Sequence, residues 1–150
     1  MANAVTEKFE ELILDVEFDP VGAAGVYTAV CGLIDVTISR QANVDTAEIP
    51  DCDDESKPLS IEKQVRSIEV SVSGTGVWAQ SSQSKLKEWF YSSATKNIRL
   101  RDTKAATGDI EVEAGPALLT QLTNTRTKGQ KVSAEVEIQF DGTPQRTNKA

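Results

Sequence analysis

Strict alternation of apolar and polar residues constrains the fold of this chain more than any other feature of its sequence. In the clearest stretch, from Val132 to Phe140, every second residue is apolar. Alternation of this kind is typical of a β-strand that buries one face and exposes the other, as strands do in antiparallel sheets. The same pattern predicts strands over residues 12–18, 33–40 and 65–73, and a threonine-rich stretch predicts another over 117–126.

A hairpin is predicted between the alternating segments that begin at Ile98 and at Ile110. Its turn is expected near residues 105–108, and arginines of the first strand are expected to face glutamates of the second where the register permits it. Gly115-Pro116 is expected to end the second strand.

Only residues 80–94 follow helical spacing. Leu86, Trp89 and Phe90 are predicted to form the core face of this helix, and Ser81 or Ser82 is predicted to cap its start. A single domain is expected, because 150 residues is a typical domain length. The fold prediction is therefore mainly β: an antiparallel β-sandwich or barrel-like subunit with one α-helix.

Residues 41–60 do not continue the alternation. This segment contains two prolines and six acidic residues, and we expect it to form a long acidic loop. A loop of about 20 residues inside a domain is unusual, so it should be functional, become ordered only on binding a partner, or indicate that an element is wrongly assigned. The termini, residues 1–8 and 142–150, are predicted to be flexible.

Charge and composition exclude several functions. The net charge is −7 and histidine is absent, which argues against electrostatic DNA binding and removes histidine-based catalysis and metal binding. Residues 1–55 hold 13 acidic and two basic residues, whereas residues 56–150 hold 10 acidic and 14 basic ones. Such a dipolar chain could stack head to tail with its own copies; the alternative is a solvated acidic loop. No apolar run approaches the roughly 20 residues that span a bilayer, so no membrane partner is expected.

Two carboxylate patterns resemble functional sites without completing them. Four acids have the spacing of a calcium-binding loop: Asp51, Asp53, Glu55 and Glu62. Ser56 stands where that loop requires glycine, and no predicted helix flanks the segment. Two glutamate pairs resemble the acid pairs of glycosidases but fit the polar faces of strands: Glu111/Glu113 and Glu135/Glu137. We therefore predict no catalytic residues, no metal and no cofactor.

The order of these segments resembles that of a known family. Gly32-Leu33 opens an alternating strand, Val44-Asp45-Thr46 and the acidic loop follow, and the stretch from Ser71 to Val77 precedes the single helix. A hairpin and a long strand then lead into Phe140-Asp141-Gly142-Thr143. Over residues 10–143 this order is similar to that of the major tail tube proteins of long-tailed phages and phage-derived gene transfer agents, a family typified by phage TP901-1. Many of its members close with a Ser-Ser-Gly-type turn instead of Asp141-Gly142-Thr143.

The resemblance implies a structural virion protein. Hexameric rings would stack into a hollow tail tube that conducts DNA from the capsid to the host cell without binding it specifically. Each subunit would give strands to a continuous inner barrel, while the long loop and the termini would contact neighbouring subunits and rings. The expected partners are other copies of the chain, the tape-measure protein, the tail terminator and baseplate proteins. The expected location is the particle tail, after assembly in the host bacterial cytoplasm.

Two sets of residues are expected to serve this function. A lumen lined by acids and hydroxyls would repel phosphates, so polar strand positions are lining candidates, although they could instead face outside water: Asp35, Thr37, Glu69, Ser71, Ser73, Glu135 and Glu137. Acids of the 41–60 segment are candidates for contacts between rings: Asp45, Glu48, Asp51, Asp53, Asp54 and Glu55. Lys128, Lys131 or Arg146 of the next ring could accept them.

Two other functions remain open from the sequence. A β-sandwich binding module, such as an adhesin or a carbohydrate-binding domain, would need an exposed aromatic platform. A tail terminator or baseplate ring protein would share the subunit fold but form one closed ring that does not stack.

Overall fold

Long alternating strands dominate the structure. The computed structural model describes residues 3–150 except 5, 20, 21, 23 and 31. Within these residues a short 3-10 helix, Phe9–Glu11, precedes eight strands and one α-helix. The elements are β1 Leu12–Val16, β2 Thr28–Ala29, β3 Leu33–Ile49, β4 Ser60–Val77, α1 Gln80–Ser92, β5 Lys96–Asp102, β6 Ile110–Thr125, β7 Ser133–Phe140 and β8 Gln145–Asn148. None of the described helices is long and apolar enough to cross a membrane.

The eight strands form one hydrogen-bonded sheet in which every pairing is antiparallel. Its order is β2-β1-β5-β6-β7-β4-β3, with β8 added beside β6. Strand β6 joins the two halves of the sheet: its first half pairs with β5 and β8, and its second half pairs with β7. The change of partners occurs at Ala117, which lies opposite both Lys96 and Phe140.

One hydrophobic core lies between the two halves of this sheet. The half that contains β1 and β5 contributes Leu14, Val16, Ile98 and Leu100, and the half that contains β4 and β7 contributes Val72, Val136 and Ile138. Helix α1 adds Leu86 and Trp89, and the Trp89 indole N–H donates to the carbonyl oxygen of Ala94 at 2.9 Å. The predicted fold class, mainly antiparallel β with one helix, is confirmed.

Helix α1 differs in two details from its prediction. Trp89 is 1% exposed, whereas Phe90 is 37% exposed and packs edge to face against Tyr91, with ring centroids 5.5 Å apart. Phe90 is therefore not a core residue: successive residues lie about 100° apart around a helix, and the side of α1 that faces the core is the one that carries Leu86 and Trp89. The N-cap is Ala79, which makes no side-chain capping hydrogen bond, and Ser81 and Ser82 already lie inside the helix.

The predicted loop over residues 41–60 is wrong. Strand β3 continues to Ile49 and strand β4 begins at Ser60, so the loop contains only residues 50–59. The two strands pair out to Ile49 and Ser60, with one register shift between Asn43 and Val44. The alternation is absent here because both faces of the hairpin are exposed, so no apolar face is required; ladder hydrogen bonds hold the strands instead.

The register of β5 and β6 does not bring the arginines opposite the glutamates, and the predicted strand end at Gly115-Pro116 is wrong. Arg99 lies opposite Ala114, and Arg101 lies opposite Val112. Strand β6 passes through Gly115 and Pro116 and continues to Thr125. Proline removes only one N–H donor from the ladder, and the Pro116 carbonyl still accepts a hydrogen bond from the Asp141 N–H at 2.8 Å.

The C-terminal segment is more ordered than predicted. Residues 145–148 form β8, which pairs with the first half of β6. Beyond it, Lys149 exchanges backbone hydrogen bonds with Gly108 and Asp109 at 2.9 and 2.8 Å. At the other terminus, residues 1, 2 and 5 of the predicted flexible segment lie outside the described residues.

Candidate functional site

Four strands present one continuous polar face. Strands β3, β4, β7 and the second half of β6 lie side by side, and their register aligns polar residues in rows. One row runs Thr37, Ser73, Glu137 and Gln121, and the next runs Asp35, Thr75, Glu135 and Thr123. A third row joins Ser39, Ser71 and Gln139, and Gln41 pairs with Glu69 beyond it. All seven residues that the sequence suggested as lumen-lining therefore share one face of one sheet.

This polar face carries only negative charge. Its rows contain four carboxylates, from Asp35, Glu69, Glu135 and Glu137, and no lysine or arginine. The Gln139 side-chain amide donates to the Glu137 carboxylate at 3.2 Å. The opposite side of the same strands carries the core residues Val72, Val136 and Ile138, so the period-two pleat separates an apolar side from an acidic, hydroxyl-rich side.

The four-stranded face has an open strand at each edge. Strand β3 ends the sheet, and among the described residues no strand pairs with its outer edge. At the other side β5 stops at the Lys96–Ala117 pair, so residues 118–125 of β6 also have an outer edge with no partner among the described strands. Strands β3 and β6 run in opposite directions, since each successive pair between them is antiparallel. These edges are therefore suited to antiparallel pairing between two copies.

The β3–β4 hairpin projects far beyond the rest of the sheet. The last pair between β4 and β7 joins Ser71 to Gln139, and residues 60–69 of β4 continue past it. Ten strand residues extend about 34 Å. We call residues 41–69 the arm; its described side chains are exposed except those of Asn43 and Asp51, which are half-buried.

The tip of the arm, residues 50–59, is a turn organised by its own carboxylates. Asp51 accepts the backbone N–H groups of Asp53 and Asp54 at 2.9 and 3.3 Å, and its other oxygen lies 3.5 Å from the Lys57 ammonium. Asp54 accepts both the hydroxyl and the backbone N–H of Ser56, and these hydrogen bonds hold the pKa of Asp54 below its usual value. Of the six acids suggested for ring contacts, Asp45 and Glu48 lie in β3, and the other four lie in this tip.

A basic turn lies at the opposite end of the same sheet. Residues 126–132 connect β6 to β7 and contain Arg126, Lys128 and Lys131, all exposed, and no acid. Of the three bases suggested as acceptors, Lys128 and Lys131 lie in this turn. Arg146 does not, because it lies in β8 opposite Glu113, near the start of β6.

A buried carboxylate between two arginines was not found by sequence reasoning. Asp15 is 2% exposed, and its Oδ2 accepts hydrogen bonds from Arg99 Nη2 at 3.0 Å and from Arg101 Nε at 2.6 Å. The Arg99 guanidinium stacks over the Tyr27 ring, with its Cζ atom 4.3 Å from the ring centroid. The alternation of β1 predicts a polar face for Asp15. It does not reveal that β5 pairs beside β1 and that Arg99 and Arg101 of β5 enclose the carboxylate. This cluster joins strands and offers no catalytic arrangement.

The four acids with calcium-loop spacing lie in two different elements. Asp51 and Asp54 are engaged with the tip backbone, and Glu62 lies in β4. The described residues contain no group of three or more potential ligands placed to hold a metal ion.

The comparisons with known proteins identify the family of the chain and its fold. Residues 6–146 match the family model described as phage tail tube protein. The chain belongs to the phage tail tube protein family. No functionally curated protein gave a significant match to this tail tube protein.

Solved tail structures share the fold of this tail tube protein. The tail of an empty gene transfer agent particle, refined with C6 symmetry, superposes with a TM-score of 0.71 at 14% identity, covering 95% of this chain and 99% of that chain. The SPP1 tail tube gives a TM-score of 0.67 at 11% identity, covering 95% and 79%. The tube-terminating cap of the anti-feeding prophage gives 0.59 at 14% identity, covering 98% and 95%.

Proposed function

We propose that this tail tube protein forms hexameric rings that stack into a hollow tube, through which DNA passes from the capsid to the host cell. The observation that carries the proposal is the four-stranded acidic face with a free strand at each edge. The free edge of one subunit can pair with the free edge of the next, so the acidic face can extend over several subunits. The neighbour refined with C6 symmetry supports six copies per ring.

The ring closes through the two free edges. Strand β3 of one subunit pairs with residues 118–125 of β6 in the next, which preserves the antiparallel order around the ring. Pooling the strands in this way removes both exposed edges, each of which would otherwise be a site for aggregation.

The acidic face lines the lumen. Phosphates of the passing DNA meet carboxylates and hydroxyls and no basic group from these rows, so DNA has no ion pair with which to bind. The repulsion acts on every nucleotide alike, because it depends on the DNA backbone charge and not on the bases. This arrangement explains how a tube can hold DNA without retarding it.

The arm connects one ring to the next. It carries eight acidic and three basic residues, whereas the β6–β7 turn at the other end of the sheet carries only bases. Translation of one copy along the tube axis brings these two ends toward each other. The contact joins two different surfaces, so it propagates as a filament and does not close.

The proposed role is structural and not catalytic, and the proposed location is the tail of a phage or gene-transfer-agent particle assembled in a bacterial cytoplasm. The tape-measure protein would occupy the lumen before DNA, and the terminator and baseplate proteins would bound the two ends. A single-ring terminator is the second candidate function, because the neighbour from the anti-feeding prophage is a tube-terminating cap.

Purification, size-exclusion chromatography and negative-stain microscopy test this proposal. Hollow filaments built from six-fold rings are the expected result. Rings that never stack at any concentration would favour the terminator, and a persistent monomer that binds a glycan would favour the binding module.

A further inference from the structure

Both free edges of the acidic face contain a β-bulge. At the β3 edge, Leu33 pairs with Gly76 and Asp35 pairs with Thr75, so Ile34 is the extra residue of a bulge. The Ile34 side chain is 61% exposed. The ladder is therefore interrupted near the start of the outermost strand on this side.

The β6 edge contains a second bulge. Leu119 pairs with Ile138 and Gln121 pairs with Glu137, so Thr120 is the extra residue. The exposed Thr120 hydroxyl donates to the backbone carbonyl oxygen of Glu137 at 3.1 Å, which holds the bulge against β7. The extra residue again lies on an outermost strand of the face.

The two inner strands of the face are regular by comparison. Within the described residues, β4 and β7 form seven successive pairs, from Ser71 with Gln139 to Val77 with Ser133, and no shift interrupts them. The bulges of the four-stranded face are therefore confined to the two strands that expose an edge. Bulges are one of the devices by which proteins protect exposed strand edges from unwanted pairing.

Neither bulge is needed to direct side chains to the correct face. If Thr120 were absent, Leu119, Gln121 and Leu122 would still alternate between the core and the acidic face, as they do in the structure. The residues on either side of Ile34 behave in the same way. An extra residue that leaves both faces unchanged acts on the outward row of backbone N–H and C=O groups, which it bends and interrupts.

The composition of the β6 edge makes such protection necessary. Residues 118–125 read Leu-Leu-Thr-Gln-Leu-Thr-Asn-Thr and contain no charge, no proline and no glycine. Uncharged segments that favour β-structure and lie on an exposed edge are sites of cross-β aggregation. Since charge and proline are absent here, the bulge is the protective feature that this edge retains.

We propose that the bulges at Ile34 and Thr120 are stops that limit the pairing between neighbouring subunits. Beyond each stop the outward backbone groups are bent out of line, so the ladder between two copies is confined to residues 121–125 of β6 and to β3 from Asp35 onward. A paired segment of this length extends about 17 Å. This inference rests on the proposed ring, and it adds the feature that favours a closed ring over open-ended aggregation of edges.

The stops also limit which residues face each other across the subunit boundary. The acidic face continues from one copy to the next only if its side chains lie opposite one another, and these are odd-numbered on both edges: Asp35, Thr37, Ser39 and Gln41 of β3, and Gln121, Thr123 and Thr125 of β6. Since Asp35 is the first residue beyond its stop, Thr125 lies opposite Asp35 or a later residue. Thr123 then lies opposite Thr37, Ser39 or Gln41 of the next copy.

Deletion of Thr120 tests the β6 stop, and T120A is its matched control. The deletion removes the bulge and leaves the pairs on both sides of it possible, whereas T120A keeps the extra residue and loses only its hydroxyl. Tubes of the full-length chain are measured by sedimentation and negative-stain microscopy, aggregates by thioflavin T fluorescence, and folding by circular dichroism melting. We expect the deletion to lower the yield of regular tubes at least roughly tenfold in favour of thioflavin-positive aggregates. T120A and both melting curves should stay near wild type.

Deletion of Ile34, with I34A as its control, tests the β3 stop with the same measurements. The deletion again removes one extra residue without changing which side chains face the core. We expect the same change from regular tubes to aggregates, and a stronger one when both deletions are combined, because both edges then become regular.

Disulfide cross-linking locates the ladder without deleting a residue. Three double variants combine T123C with T37C, S39C or Q41C, in a background in which both native cysteines are replaced by serine. Within one subunit these positions are three strands apart, about 14 Å, which is beyond disulfide distance. At least one variant should therefore form disulfide-linked oligomers up to the hexamer on a non-reducing gel. The control series carries L118C in place of T123C; Leu118 lies beyond the stop, so this series should stay monomeric.

Three results would overturn the stops. They are regular tubes at wild-type yield from both deletion variants, equal losses from the Thr120 deletion and T120A, and cross-linking by L118C as efficient as that by T123C. If a deletion variant does not fold, the cross-linking series decides the question. If wild-type tubes form in these same preparations, the proposed function stands independently of the stops.

Discussion

Ser73 lies directly opposite Glu137, in the row where β4 pairs with β7. The pair places a hydroxyl beside a carboxylate on the face of the sheet that turns away from the core. The neighbouring row repeats the arrangement with Thr75 and Glu135. Because such rows repeat across β3, β4, β7 and β6, the alternation within each strand produces one polar, acidic surface over four strands.

Reversal of charge on that face should impair DNA delivery. In E135K/E137K the lysines would form ion pairs with DNA phosphates inside the proposed lumen, so the titre of infectious or transducing particles should fall by roughly tenfold or more. The matched control is Q145K/T147K, which adds two lysines to exposed positions of β8. Tubes of normal shape with normal delivery from E135K/E137K would place these glutamates outside the lumen.

Shortening the arm should block stacking without unfolding the subunit. Replacing residues 45–64 by Asn-Gly joins the Val44–Val65 pair by a two-residue hairpin turn. The removed segment lies beyond the hydrophobic core, so the melting temperature should change little while tubes are lost. Microscopy and differential scanning calorimetry provide the two readouts. Unimpaired tube assembly would contradict the role of the arm.

Removing the Asp15 charge should destabilise the subunit. D15N leaves two arginines facing a neutral amide at a buried position, and we expect a loss of roughly 2–4 kcal/mol in the free energy of unfolding, since both arginines are partly exposed. The control D45N breaks an exposed ion pair with Arg66 at 3.8 Å and should cost about 1 kcal/mol or less. Urea denaturation distinguishes the two, and equal losses would contradict the importance of burial.

Helix α1 provides a test of its burial pattern. W89A should cost about 3–5 kcal/mol of unfolding free energy, because it empties a fully buried aromatic position. F90A should cost about 1 kcal/mol or less, because Phe90 is 37% exposed and lies outside the core. A larger loss from F90A than from W89A would reverse the assignment.

The arm tip should respond to acid. Hydrogen bonds from Ser56 lower the pKa of Asp54 in the folded chain, so the carboxylate stabilises the turn above its usual pKa of 3.8 and this contribution is lost as the pH falls through the lower folded value. S56A should raise the pKa of Asp54 toward its usual value. NMR titration of the Asp54 carboxyl carbon measures the shift, with Asp53 as the internal reference. An unchanged Asp54 pKa in S56A would contradict the assigned cause.

Local pattern was sufficient for elements that bury a face. The strand over residues 132–140 and the helix near 80–94 were predicted close to their observed bounds, because burial imposes a period of two or 3.6 on the residues themselves. The arm was missed for the converse reason, since an exposed hairpin has no buried face to impose a period. Gly115-Pro116 led to a wrong strand end because proline interrupts a helix more reliably than a strand. In β6 the Pro116 carbonyl still accepts a hydrogen bond from the Asp141 N–H, so the strand continues.

The positions of the candidate residues depended on pairing. Glu69 and Ser73 lie in β4 and Glu137 lies in β7, up to 68 residues away in the chain, and the β4–β7 register places them on one face. Strand pairing also explains why Lys128 and Lys131 lie in the β6–β7 turn whereas Arg146 lies at the other end of β6. Lys131 and Arg146 are 15 residues apart in the chain, yet they lie near opposite ends of β6, because β7 runs along its second half and β8 along its first half.

By itself, the amino-acid sequence determined that the chain is mainly antiparallel β with one helix, that it is acidic, and that its segment order resembles tail tube proteins. Periodicity and segment order are local patterns and net charge is a sum over residues, so all three can be read without knowing which residues are in contact in the fold. The tertiary structure decided that the acids of β3, β4 and β7 share one face, that residues 41–69 form a projecting arm, and that Asp15 is buried between two arginines. Each depends on the register between strands distant in the chain, which is set by cross-strand hydrogen bonds and the shared core.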